Sequence, residues 1–252
     1  MKKFSKILAL VMAVLMVFSL VGCGAGNGEK VWIIKTDKNF NPFEYRTADG
    51  ALVGIDIEIL AAIAEDQNFK YTIEDIGWDA AIAACQAGQA DAMIAGASIT
   101  EKRKNEGWIF SDGYYTATQC MAVHKDAAIT SFADLKDKNV VVKTGTQGAA
   151  YAESIKAQYG FTTTYVEDSA TMYQSVAGGQ AVACFEDTPI MRASIKSGNL
   201  ALKVVEGTEN EGAPYGLAMF KENKEFMDMF NAGLANIKAN GKYDAIIAKY
   251  LG

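Results

Sequence analysis

The residues of this 252-residue chain best suited to chemistry gather in four short stretches: Asp37; residues 96–98, Gly-Ala-Ser; residues 143–146, Lys-Thr-Gly-Thr; and Glu186 with Asp187. Each stretch ends or follows an apolar run (31–36, 92–95, 140–143, 181–185) that reads as a β-strand. Open α/β sheets bind ligands outside the carboxyl ends of their strands. Carboxylates, an amine, hydroxyls and glycine backbone make a set for holding a small polar molecule. Metal chemistry lacks ligands: there is one His, at 124, and the Cys at 23, 85, 120 and 184 show no Cys-x-x-Cys pairing. No metal and no cofactor are expected. Catalysis would have to nominate Glu186 and Asp187 as an acid/base pair, and no nucleophile accompanies them.

The elements that must position these residues alternate between strand and helix. Strand 31–36 is apolar on both faces, as expected where helices cover a parallel sheet. Segment 56–68 is helical, with Ile57, Leu60, Ala61 and Ala64 at i, i+3, i+4 and i+7. Strand 71–76, helix 79–87 and strand 92–95 follow. Beyond a middle region the pattern repeats: strand 140–143, helix 148–158, strand 162–166, helix 169–177 with Ser169 as a cap, and strand 181–185. Thr188 and Pro189 fit N-cap and N1 of another helix, before strand 202–205. Phe226, Met227, Phe230, Leu234 and Ile237 form the stripe of a helix stopped at Asn240-Gly241, and a last helix covers 243–250. Repeated βα units argue for α/β sheets. An internal echo, GQADAMIAG at 88–96 and GQAVACFED at 179–187, suggests two similar lobes with two strand ends each and a ligand between them.

The first segment reads as an address. Lys2, Lys3 and Lys6 precede an apolar run over 7–22, which ends Leu20-Val21-Gly22-Cys23. Such a run is short for a membrane span and suits a secretory signal. The tetrad resembles a bacterial lipobox, which implies a signal peptide over 1–22, lipid on Cys23, a tether over 23–29 and a mature protein anchored outside the cytoplasm. Loss of residues 1–22 removes three Lys and no acid, moving the net charge from −6 to −9. An acidic chain without Lys/Arg blocks is unsuited to nucleic acid. A half-apolar composition with 21% charged residues excludes a disordered chain.

A set of motifs in order completes the reading: residues 37–45 (DKNFNPFEY), 54–56 (GID), Trp78-Asp79, 98–103 (SITEKR), 110–115 (FSDGYY), 143–146 (KTGT), 186–189 (EDTP) and Tyr215-Gly216. Together they resemble the bacterial extracellular solute-binding proteins for polar amino acids, the receptors of ABC importers, over residues 30–252. The glutamine-binding members look most similar, through the FSDGYY, Lys-x-Gly-Thr and Asp-Thr-Pro motifs. The resemblance implies a two-lobed type II periplasmic-binding-protein fold, α/β in class. Two parallel-rich sheets would be joined by a two-stranded hinge, with the ligand in the cleft. It divides the chain into a first lobe of 29–115 plus 217–252 and a second of 116–213.

The resemblance also distributes roles. Arg103, one of three Arg, would take the ligand carboxylate in a two-donor fork, helped by Ser98 and Thr146. Asp187, the Gly96 carbonyl and Ser98 would take the ammonium. Asp37 and Lys143 would approach the side chain, and an acceptor beside a donor suits a primary carboxamide. Lys143 would repel a cationic ligand and Asp37 an acidic one. Phe40 and Trp78 would sandwich the aliphatic stem. Glu186, where some glutamine binders place a His, and Gln147, where a Gly is common, depart from the pattern. Cystine, histidine or a broad polar range therefore stay open beside glutamine. So do plainer uses: Ser98 or Asp187 as helix caps, and Phe40 in a core. Expected partners are the amino acid, a membrane ABC permease and the membrane through the Cys23 lipid, with the protein a monomer. Cys85, Cys120 and Cys184 read as buried free thiols. The alternative class is a dehydratase-type enzyme of the same fold.

Overall fold

A computed structural model describes residues 30–251; the expected signal peptide, tether and lipidation site at Cys23 lie outside the described residues. Two five-stranded sheets organise the chain. The first has the order Lys70–Asp75, Val31–Thr36, Ala92–Met93, Ala218–Met219, Ile109–Phe110. The second has the order Thr162–Val166, Asn139–Lys143, Ala183–Asp187, Gln119–His124, Leu202–Val204. In both, the first three strands are parallel and the fourth is antiparallel to its neighbours. In both, that parallel trio reads second-first-third in chain order. The two GQA segments lead into the third strand of each trio, so the echo marks equivalent places. The chain passes between the sheets at Tyr115–Ala117 and Ala213–Tyr215, which pair antiparallel with Tyr115 opposite Tyr215.

Packing follows from the apolar runs. On the first sheet Trp32 and Ile34 meet Ile59 and Ile63 of helix Ile55–Gln67 and Phe226, Phe230 and Leu234 of helix Lys224–Ala239. Trp32 stacks on Phe226 with centroids 4.4 Å apart. The two helices approach closely at Gly233, where a Cβ would stand 2.7 Å from Ile63 Cγ2. The second sheet is filled on both sides. Met121, Val123, Val140, Val142 and Phe185 face Ala149 and Ala152 of helix Gln147–Tyr159. Cys120, Ala122, Val141 and Cys184 face Met172 and Val176 of helix Ser169–Ala177 and Met191 of helix Thr188–Gly198. Each Val, Ile, Leu, Met or Phe among these stabilises the fold by about 1.5–3 kcal/mol on burial.

Several expectations need correction. Strand Val31–Thr36 is not covered on both faces: Trp32 and Ile34 are buried, while Val31 and Ile33 are 46% and 41% exposed. Helix Ile55–Gln67 buries Ile55, Ile59, Leu60 and Ile63, leaving Ala61 exposed and Ile57 half-buried. That helix is apolar on nearly every side, so its period does not choose a face. Asp168, not Ser169, caps helix Ser169–Ala177, its Oδ1 accepting from Thr171 N at 2.8 Å. Thr100, not Ser98, caps the short helix Glu101–Asn105, accepting from Arg103 N. Asp187, not Thr188, holds the N-cap position of helix Thr188–Gly198, without a side-chain cap bond. The strand expected over 181–185 runs Ala183–Asp187, so Glu186 and Asp187 end the strand rather than follow it.

Candidate ligand cleft

One cavity between the sheets gathers all the residues singled out for a ligand. Asp37, Phe40, Trp78, Gly96, Ser98 and Arg103 line it from the first sheet's side, and Lys143, Thr146, Gln147, Glu186 and Asp187 from the second's. Its empty volume, mouth included, is ≈ 300 Å³.

Asp37 leaves the end of strand Val31–Thr36 and is 6% exposed. Its Oδ1 accepts from Lys38 N at 2.7 Å and Trp78 N at 3.1 Å. Its Oδ2 pairs with the Lys143 ammonium across the cleft. Lys143 is 3% exposed and stands 5.8 Å from the centre of the Phe40 ring. Burial works against its charge, but Asp37, Glu186 and Glu44 outweigh that and hold its amine above the ordinary value.

Arg103 is fixed by helix Glu101–Asn105 and the Thr100 cap. Nη1 donates to Ser98 O at 2.8 Å, and Nη2 reaches Gly145 O of the opposite side at 3.1 Å. Its Cζ lies 5.1 Å from the Trp78 ring centre. These bonds use two of the five N–H donors of a guanidinium, leaving a donor fork for an anion. Burial lowers its pKa, with Asp187 opposing, and an arginine stays charged regardless. Thr146 caps helix Gln147–Tyr159, accepting from Ala149 N and donating to Lys143 O at 2.8 Å. That brings the positive end of a helix to the same wall.

On the second sheet's side, Asp187 is buried with Oδ1 accepting from Gln119 Nε2 and Oδ2 from the Tyr215 hydroxyl. A carboxylate offers about four lone-pair sites, so acceptor capacity remains. Burial raises its pKa, against the hydrogen bonds from Tyr215 and Gln119 and the charges of Arg103 and Lys143. Glu186 accepts from Ser169 Oγ at 2.9 Å, Tyr173 Oη at 3.1 Å and Asp187 N at 3.0 Å. Burial and then Asp187 push it upward. Glu186 is therefore tied into the second sheet's wall rather than extended into the cavity. Gly96, at φ 56°, packs so closely that a Cβ would sit 2.4 Å from Phe40 Cε1. Trp78 Nε1 is buried without a hydrogen-bond partner.

Four residues have no role assigned from sequence. Gln119 and Tyr215 orient Asp187; Asp56 accepts from Gly96 N at 2.8 Å; Glu44 is buried beside Asp56. The available signal is an acid in the buried first turn of an apolar helix, Ile55-Asp56-Ile57. Among the described residues no cluster of three or more His, Cys, Asp or Glu could hold a metal ion, and no helix is long and apolar enough to cross a membrane. Cys85, Cys120 and Cys184 are free and buried, and burial pushes the Cys85 and Cys120 thiols up to about 12.

Known proteins share this architecture. The chain is 29% identical over 256 residues to the arginine-binding extracellular protein ArtP of Bacillus subtilis, spanning 99% of this chain and 98% of that one. It is 37% identical to substrate-binding domain 2 of Lactococcus lactis GlnP in the open conformation, with TM-score 0.61 over 89% of this chain and 96% of that one. An ancestral arginine-binding protein bound to glutamine is 33% identical, with TM-score 0.81 over 88% of this chain and 98% of that one. Residues 32–252 match the family model, and the chain belongs to the bacterial extracellular solute-binding proteins, family 3.

Proposed function

We propose that this protein is the receptor of an ABC importer for a polar L-amino acid, glutamine being favoured, and that it binds without transforming its ligand. The lobes, 29–115 plus 217–252 and 116–213, close on the ligand about Tyr115–Ala117 and Ala213–Tyr215. The observation that carries the choice of ligand is the buried Asp37–Lys143 pair. Lys143 already supplies Asp37 with the cation that an arginine or lysine side chain would otherwise bring. A carboxamide entering between them meets one acceptor and one donor. Arg103 with Thr146 and Ser98 takes the carboxylate, and Asp187 with Ser98 and the Gly96 carbonyl takes the ammonium. Phe40 and Trp78 pack on the stem, with Glu186 and Gln147 trimming the far wall. The lower TM-score to an open relative, despite its higher identity, supports a closed arrangement here. The mature chain acts as a monomer, held by lipid on Cys23 beside a membrane permease, and takes no cofactor.

A second reading, a cationic or longer ligand such as histidine or cystine, has its own support. A cleft beyond the Asp37–Lys143 pair, with an empty volume of ≈ 1010 Å³, mouth included, is lined by Asp79, Glu167 and Asp168 from both sides. Calorimetry on protein stripped of ligand by unfolding and refolding, against the twenty amino acids and cystine, decides between them. Glutamine is expected to bind near ~1 μM, about 8 kcal/mol. No heat with glutamine and tight binding of arginine would overturn the carboxamide reading.

A further inference from the structure

Glu44 and Asp56 stand behind the cleft wall, both fully buried. Asp56 Oδ2 accepts from Gly96 N at 2.8 Å and from the Tyr114 hydroxyl at 2.9 Å. Asp56 Oδ1 and both Glu44 oxygens are buried without a hydrogen-bond partner, and Asp56 N donates to Phe43 O at 2.9 Å, which sets the two acids side by side. Two ionised carboxylates are acceptors only, so no bond can join them. A single proton supplies the missing donor and removes one buried charge. Asp56 is the better anion, in the first turn of helix Ile55–Gln67 with two donors on one oxygen. Glu44 is the better acid: burial first, then repulsion from Asp56 and Asp37, hold it well above the ordinary carboxyl value, against Lys143.

Each acid belongs to a different loop of the wall. The Glu44 backbone bonds to Phe40 in both directions, Phe40 N to Glu44 O at 2.7 Å and Glu44 N to Phe40 O at 3.2 Å. Asp56 holds Gly96, whose Cα packs on the Phe40 ring. The helix start itself is seated against this loop at Gly54, where a Cβ would lie 2.1 Å from Phe43 O. We propose that Glu44 and Asp56 share one proton, and that this O–H···O bond keeps Phe40 and Gly96 in register, making the two acids a positioning pair for ligand binding. The part about binding rests on the amino-acid reading of the cleft; the shared proton does not. The charged and titratable groups that face the pair are Asp37, Lys143 and Tyr114.

The test uses the mature chain and three variants: Glu44→Gln, Glu44→Ala and Asp56→Asn. Without ligand at pH 7, the infrared spectrum of wild type should carry one more carboxylic-acid C=O stretch than Glu44→Gln. The Gly96 amide resonance should titrate as pH rises in wild type, and in Glu44→Gln, where an amide N–H replaces the shared proton, its titration should move to lower pH. With L-glutamine as the ligand tested, Glu44→Gln, which can still donate to Asp56, should bind within about threefold of wild type. Glu44→Ala should bind about 10- to 100-fold more weakly, the cost of leaving a buried acceptor unpaired. Asp56→Asn should shift the Gly96 amide most. An equal acid band in wild type and Glu44→Gln, or a Gly96 titration unmoved by Glu44→Gln, would overturn the proposal. Failure of glutamine to bind any form would overturn the choice of ligand, while the acid band and the Gly96 titration would still decide whether the proton is shared.

Discussion

Apart from Asp37, each lobe buries a pair of carboxyl groups near the cleft, and the two pairs are kept in different ways. In the second lobe Glu186 and Asp187 receive Ser169, Tyr173, the Asp187 main chain, Gln119 and Tyr215. Lys143 and Arg103 add positive charge nearby. In the first lobe Asp56 receives two donors on one oxygen, and Glu44 receives none from outside the pair. Donors and counter-charge oppose burial and favour the anion that can face a ligand's ammonium, although burial still raises Asp187 and lifts Glu186 to about 7. Where they are missing, the acid keeps its proton and serves as a joint. Burial alone does not separate the two; the hydrogen-bond partners do.

The largest expected effect tests the charged side of this contrast. Arg103→Ala removes the anion fork and the counter-charge that faces Asp187. It should weaken binding of every amino acid by roughly 100-fold or more, the loss expected when a buried charge pair loses one member. Calorimetry showing retained affinity would take Arg103 out of the carboxylate role. Next in size is stability. Glu186→Ala strands the Ser169 and Tyr173 hydroxyls and leaves Lys143 less balanced, costing about 3–5 kcal/mol. In a chain of this size that lowers Tm by roughly 6–20 °C. Glu44→Gln should cost under about 1 kcal/mol. Equal losses in a thermal melt would erase the distinction between the lobes.

A smaller effect bears on the pair that joins the lobes. Asp37→Ala leaves Lys143 buried beside Glu186 and removes the acceptor for a carboxamide N–H₂. Glutamine should lose about 10-fold or more in affinity, and serine or alanine much less. An equal loss across these ligands would mean that Asp37 supports closure rather than side-chain choice.

The strand ends can be located in the sequence because a short apolar run followed by polar residues marks both the strand and its exit. Asp37, Lys143 and Asp187 are found that way. What those groups touch is not legible. Asp37 and Lys143 are 106 residues apart and meet only across the cleft. Gln119 reaches Asp187 from the adjacent strand, and its polar side chain heads the buried apolar run 120–123. Asp56 in a first helical turn reads as an ordinary N-terminal acid. Its burial comes from a helix apolar on nearly every side and from Gly96 folding over it. The caps move by one or two residues because Ser98, Thr100, Asp168 and Ser169 are all competent, and tertiary partners choose among them.

The smallest effect is the pH dependence of stability, and it has a defined sign. Burial raises Asp56 to about 7 and raises Glu44 and Glu186 as well, while unfolded carboxyls titrate near ~4. Between those values the folded chain holds more protons than the unfolded one, so stability is full below the unfolded pKa and falls as pH rises. Surface acids such as Asp75 and Asp134, held low by Arg46 and by main-chain N–H groups respectively, act oppositely and only below that window. Ligand-free protein should therefore be most stable near pH ~5, losing up to about 1.4 kcal/mol per pH unit for each extra proton held. Glu44→Gln should flatten part of this slope by removing the first lobe's proton, and Glu186→Gln the part due to the second. Thermal melts from pH 5 to 8 separate the two contributions. A slope unchanged in Glu44→Gln but abolished in Glu186→Gln would place the excess proton in the second lobe and reverse the contrast between the pairs.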